Sequence, residues 1–213
     1  MAYIGLRHPV VAPITAETPG TGITYGTGRV LGKAIAANVT YNRPDNPLHA
    51  DDGIAENDNG ITDGTVEFNA DDLTNDDRAA VLGLVALQSS GQSPAPTGVY
   101  RLTDAAAPYV GFGYLRVRRK SGATSYEAFW FYKVQFAEES ENAQTKGQQI
   151  EWGTPTLNGR IMGVQLDSSG AIAYRDNQLF TTEAAAVAWL DGLANIASAS
   201  SGSGSSGSGS GNS

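Results

Sequence analysis

The sequence predicts a mainly β protein, sandwich-like or barrel-like, with one short flanking helix and a second helix near its C-terminal end. Three observations carry this expectation. From Tyr109 to Phe136 bulky residues alternate on both sides of a turn signal at Ser121 and Gly122, the pattern of a long antiparallel hairpin. Only "DLTNDDRAAVLGL" and "TTEAAAVAWLDGLANI" switch to a helical period. Across the chain 26 Gly and 9 Pro punctuate the 213 residues into short segments, as strands joined by turns require.

Taken in order, residues 1–28 read as an N-terminal arm. Pro9, Pro13 and Pro19 each remove an amide donor, so an extended arm is expected there rather than a central strand. The β domain follows over 29–197. "RVLGKAIAANVTYN", from Arg29 to Asn42, is rich in small and β-branched residues and reads as a strand, with a helix as the alternative. Over 43–64 Pro, Asn, Asp and Gly dominate and apolar periodicity vanishes, so a long loop is expected, of the kind that meets partners. "DGTVEFNAD" alternates as a strand. Thr74 and Asp77 then have capping-box spacing, Asp76 and Asp77 suit the positive end of a helix dipole, and Gly83 can end the helix, which places it near Asn75 to Leu82.

"VYRLT" reads as a strand and leads to the hairpin. On its first arm Val110, Phe112 and Tyr114 share one face and Tyr109, Leu115 and Val117 the other, with Gly111 and Gly113 thinning one side. On its second arm strict alternation groups Tyr126, Ala128, Trp130, Tyr132, Val134 and Phe136 against Glu127, Phe129, Phe131, Lys133 and Gln135. Strand character returns in "QQIEWGTPTLNGRIMGVQL", where Pro155 marks an edge or a bulge, and "DSSG" turns the chain into "AIAYRD". The last helix has a Thr cap, Glu183 in its first turn, and Val187, Leu190 and Ala194 on one stripe with Trp189, Leu193 and Ile196 beside it. Trp130, Tyr132, Phe136 and Trp189 are the core candidates. Residues 198–213 form a Ser/Gly tract that has no apolar area to bury and is expected to be a flexible tail.

The chemistry-bearing residues are few. A formal net charge of -8 argues against a free-standing nucleic-acid binder, which would carry a basic stripe. No cysteine is present, which removes disulfides, thiolate metal sites and a Cys nucleophile. The first residues lack the basic flank and apolar run of a signal peptide, and no stretch approaches a membrane span, so a protein made and used without translocation by a signal is expected. His49 precedes Asp51 by two residues, but no nucleophile elbow accompanies it; it reads as a solvated loop histidine, as does His8 in the arm. Asp51, Asp52, Glu56, Asp58 and Asp63 crowd one stretch. Aligning Gly60 with the EF-hand glycine puts Ala55 and Val66 at ligand positions, so that calcium motif fails. "GTGRVLGKA" misses the phosphate-loop spacing and ends in Ala34 where a Ser or Thr is needed. No catalytic residue, metal or cofactor is expected. "RVRRK", from Arg116 to Lys120, reads as a solvated face or an inter-subunit salt-bridge patch.

One family joins these pieces. "FYKVQFAEESENAQTKGQQIEWGTPTLNGR" resembles a motif of the major tail tube proteins of long, non-contractile-tailed bacteriophages (siphophages), carried by Tyr132, Lys133, Phe136, Thr145, Lys146, Gly147, Thr154, Pro155, Thr156, Leu157 and Gly159. "TYGT", "LHADDG", "VLGL", "APYVGFGY" and "AWL" resemble further pieces in the same order. The resemblance implies a non-enzymatic virion protein of the tail, assembled in the host cytoplasm. Six copies would form a ring with a shared inner β-barrel, and rings would stack into a tube that conducts genome DNA. Its partners would be itself, other tail proteins at the tube ends and the passing DNA, with no membrane. Long strands apolar on both faces fit, since they call for cover from a neighbour and for closed edges. An acidic wall would let DNA slide. On this view Tyr114, Arg116, Arg118, Phe129, Phe131 and Lys133 are candidates for an inter-subunit sheet. His49, Asp51, Asp52, Glu56 and Asp58 are candidates for an inter-ring loop. The alternative is a β-sandwich carbohydrate-binding module or adhesin, whose exposed Trp and Tyr would stack on sugars; a hydrolase using His49 comes third.

Overall fold

The computed structural model describes residues 2–50, 53–87, 98–138 and 153–197. The chain opens with β1 (Ala2–Thr18), which turns into β2 (Gly22–Tyr25) and then β3 (Arg29–Val30). A break at Gly32 separates β3 from β4 (Ala34–Asn42), and glycine is required there, since a Cβ would strike the Asp72 carbonyl. Next come β5 (Asn46–Ala50), β6 (Gly53–Asp58) and β7 (Asp63–Ala70). Helix α1 (Asn75–Leu82) follows with the full capping box: Asp77 N donates to Thr74 Oγ1 at 3.2 Å, Thr74 N donates to Asp77 at 3.1 Å, and Gly83 closes the helix at φ 74°. The short pair β8 (Val85–Leu87) and β9 (Val99–Arg101) leads to the hairpin of β10 (Tyr109–Lys120) and β11 (Ala123–Glu138). Its two-residue turn has positive φ at both Ser121 and Gly122. The rest comprises β12 (Thr156–Ile161), β13 (Val164–Gln165), β14 (Ile172–Ala173), β15 (Arg175–Phe180) and α2 (Glu183–Leu193). The protein is therefore mainly β with two short helices.

Nine strands form one open sheet in the order β2-β1-β10-β11-β12-β7-β4, with β3 added to β1 and β15 to β11. The sheet folds over on itself into a sandwich-like body. Phe112 of β10 meets Phe68 of β7 edge-on at 5.3 Å, and Val66, Phe68, Leu157 and Ile161 close over Phe112, Phe129 and Phe131 with α1 filling one end. On the other face of β10–β11, Trp130, Leu115 and Val117 pack under Ala186, Leu190 and Ala194 of α2 and the residues just beyond it. The central hairpin is thus buried on both faces by its own chain. This corrects the expectation that its second face needs a neighbouring subunit: α2 supplies the cover.

Three further expectations are corrected. The presumed arm is β1, paired with β10 from Ala2 to Pro13, with Val10, Val11 and Ala12 fully buried. Its prolines are accommodated where donors are not needed: Pro9 in a bulge between Arg7 and Val10, Pro13 at the last pair with β10, and Pro19 just past the strand end. The presumed loop over 43–64 contains the β5–β6 hairpin, a two-stranded sheet of its own. Alternation along β11 also fails after Phe131. Val110 faces Val134 while Phe112 faces Phe131, so one extra residue on β11 turns Val134 and Phe136 onto the face of Phe129 and Phe131. Phe136 is core, as expected, but lies across the sheet from Trp130.

Candidate assembly interface

The sheet closes most of the way round and then stops. β4 returns beside β1, yet no strand ladder joins them; Leu31 N donates to the Pro9 carbonyl at 2.8 Å and holds the narrow end of the gap. A cleft of about 610 Å³ follows this seam, with Leu6 and Pro9 on one side, Val30 and Leu31 on the other, and Arg7 and Lys33 among its lining. Among the described residues β4 pairs only with β7, and β15 only with β11, so each leaves one edge of N–H and C=O groups open. Apolar side chains are exposed along these edges: Ile35 on β4, Val30 on β3, Leu179 on β15, and Tyr3 and Ile4 on β1. β4 is lightly protected: "AIAANVTYN" contains no charge and no proline to discourage pairing, and its one irregularity is a bulge at Ile35.

Two small hairpins add to this surface. β5–β6 carries Leu48, 59% exposed, and β8–β9 carries Val85 and Val99, both exposed, with Leu102 just beyond. Of the inter-ring candidates, Glu56 is exposed on β6, His49 and Asp58 belong to the backbones of β5 and β6, and Asp51 and Asp52 lie outside the described residues. The acidic segment after Glu138 and the Ser/Gly tract from 198 also lie outside them.

The inter-subunit candidates are distributed differently from the expectation. Tyr114, Phe129 and Phe131 are buried in the inner core of their own chain, and β10 and β11 are interior strands with neighbours on both edges. These three side chains are thereby removed from any contact between copies. Lys133 pairs with Glu17 at 2.5 Å and lies over the Tyr109 ring. Arg116 and Arg118 remain at the surface and share Glu127, at 3.1 and 3.8 Å. Of the core candidates, Trp130 is fully buried, while Tyr132 and Trp189 are half-buried and Trp189 packs on Phe180. Trp130 is therefore closed to sugar stacking. Sequence patterning missed β15, since "RDNQLF" has the polar composition of a turn; its only signal is the apolar pair Leu179 and Phe180 at its end.

Helix α2 is tied to β1 by a His–Asp hydrogen bond and an ion pair. His8, held at φ 52° in the β1 bulge, meets Asp191 at 2.8 Å, and Arg7 meets Glu183 at 2.8 Å. His8 is thus a part-buried structural residue and not an arm histidine. Burial lifts the Tyr114 and Tyr41 phenols above their ordinary value, so both stay neutral beside the arginines. Among the described residues no group of three or more His, Asp or Glu side chains converges as a metal would require, and no helix is long and apolar enough to cross a membrane. No family model matches the chain, and no curated protein matches it.

Proposed function

We propose that this chain is a structural subunit of a siphophage tail tube: copies join through their open sheet edges into six-membered rings, and the rings stack into a conduit for genome DNA. In this reading the chain performs no chemistry and holds no cofactor. The observation that carries it is β4, an uncharged nine-residue strand with one unpaired edge and Ile35 exposed at 53%. Proteins that remain monomeric blunt such edges with charge, proline or cover. Leaving one bare is consistent with a partner strand. The ordered motifs contribute the tube identity, the ring number and the setting in a virion, and the projecting β5–β6 and β8–β9 hairpins offer material for contacts between rings.

The test is self-assembly of the purified chain. Rings or tubes should appear in negative-stain images as concentration rises, and Ile35→Lys, which places a charge on the open edge, should abolish them while leaving the folded subunit intact. A wild-type chain that sediments as a monomer at millimolar concentration would overturn the reading. So would tubes formed equally well by Ile35→Lys.

A further inference from the structure

At one end of the body, beyond the cover of β7 and β12, planar groups alternate in an unusual series. The Arg116 guanidinium lies 3.6 Å from the Tyr3 ring centre and 4.8 Å from that of Phe129. The Arg175 guanidinium lies 5.2 Å from the centre of Phe129 and 5.5 Å from that of Tyr41. Arg118 approaches Tyr3 at 5.9 Å. Each of the two shared guanidinia is held between aromatic rings contributed by different strands: β1, β11 and β4. Such stacking leaves the N–H edges free to donate and fixes their direction before any ligand arrives.

Charge in this cluster is not balanced. Glu127 answers Arg116 and Arg118, but among the described residues no carboxylate pairs with Arg175. An exposed guanidinium oriented by two rings and answered by no carboxylate suits an oxyanion. The chain holds the complement. From Pro44 to Asp77 it contains no lysine or arginine, and Asp45, Glu56 and Asp58 sit on or beside the separate β5–β6 hairpin.

We propose that the Arg116–Arg118–Arg175 platform is a carboxylate-binding site that receives the acidic β5–β6 hairpin of a second copy of this chain. The proposal rests on the self-assembly reading and names the receiving surface within it. An acidic projection meeting a basic platform elsewhere on the next molecule is a head-to-tail contact, and such contacts propagate instead of closing as a dimer. Duplex DNA is the less suitable occupant. It needs a basic stripe several phosphates long, and the platform is a single cluster in a chain of net charge -8.

The experiment titrates a labelled synthetic peptide spanning residues 44–61 into dilute full-length protein and follows fluorescence anisotropy. Saturable, salt-sensitive binding is expected. Arg175→Gln should weaken it about tenfold, the scale of one lost charge-assisted contact, and Arg175→Lys should fall between. Arg160→Gln, which removes an exposed β12 arginine paired with Asp63 of β7, should leave binding unchanged. Arg175 is exposed, so its variants should keep the wild-type melting curve. Absence of saturation, wild-type binding by Arg175→Gln, or displacement of the peptide by duplex DNA or inorganic phosphate at lower concentration would each overturn the proposal. Imaging the same samples separates the two readings. Peptide binding without rings or tubes sinks the tube and keeps the platform. Tubes formed equally by wild type and Arg175→Gln, with no peptide binding, sink the platform and keep the tube.

Discussion

Trp130 connects most of what happens at the scale of single residues. Its ring lies where β10 presents Gly111 and Gly113; a Cβ at Gly113 would come within 2.7 Å of the indole and 2.8 Å of the Phe129 carbonyl. The indole N–H donates to Tyr25 Oη at 3.3 Å, and that hydroxyl donates in turn to the Tyr132 carbonyl at 2.8 Å. Trp130→Ala should therefore cost about 3–5 kcal/mol, as large core truncations do, and Gly113→Ala about 1–3 kcal/mol by overpacking. Urea midpoints measure both, and an unchanged midpoint for either variant would contradict this packing. The same network sets a pH limit. Burial raises the Tyr25 phenol, and burial with the nearby Asp176 raises that of Tyr132, both well above the usual tyrosine range. A phenol held neutral by the fold contributes stability that is complete below the unfolded value of about 10 and is lost as pH rises past it. Denaturation midpoints should thus hold level to about pH 9 and fall above about pH 10. Ultraviolet titration should show these two phenols ionising only as the fold opens, and early ionisation of all nine tyrosines would count against the network.

At the scale of elements, the β5–β6 hairpin is the separable piece. It forms its own two-stranded sheet and presents an exposed Leu48, so its contribution to the core should be small. Replacing residues 46–58 with a short Gly/Ser linker should leave the melting temperature within a few degrees of wild type, because removing an independent hairpin takes little buried area from the body. Collapse of the melt would place the hairpin in the core. What the sequence disclosed about elements follows from how local each signal is. Both helices were legible because caps and period are written within a few residues, as at Thr74, Asp77 and Gly83. The β10–β11 hairpin was legible through its turn. Bulges were not, since nothing local at Phe131 or His8 announces the extra residue; the partner strand does, through Val110 and Gly113. β1 was misjudged because proline removes a donor without revealing that the site is a bulge. The Arg175 contacts were illegible too, as Tyr41 and Phe129 reach it from strands far apart in sequence.

For the whole molecule, the decisive feature is that the two longest open edges of the main sheet, β4 and β15, differ. One is β4, uncharged and bordered by the seam; the other is β15, which carries Arg175 and Asp176 and then Asn177 and Gln178 before the exposed Leu179. Two unlike edges can pair head to tail around a ring, whereas β4 pairing with another β4 would give a two-fold dimer and stop. The two cases respond differently to mixing. An Ile35→Lys subunit blocked at β4 can still offer its intact β15 flank to a growing assembly. In head-to-tail association it therefore enters and then caps, so a minor fraction should lower the yield of wild-type rings and tubes well beyond simple dilution. In two-fold association the same subunit finds no partner and is a bystander, and wild-type particles form in proportion to wild-type concentration. Light scattering and negative-stain counts across mixing ratios, at fixed wild-type concentration, separate these outcomes. Capping is the expected result, and a yield indifferent to added Ile35→Lys would remove head-to-tail edge pairing as the basis of assembly.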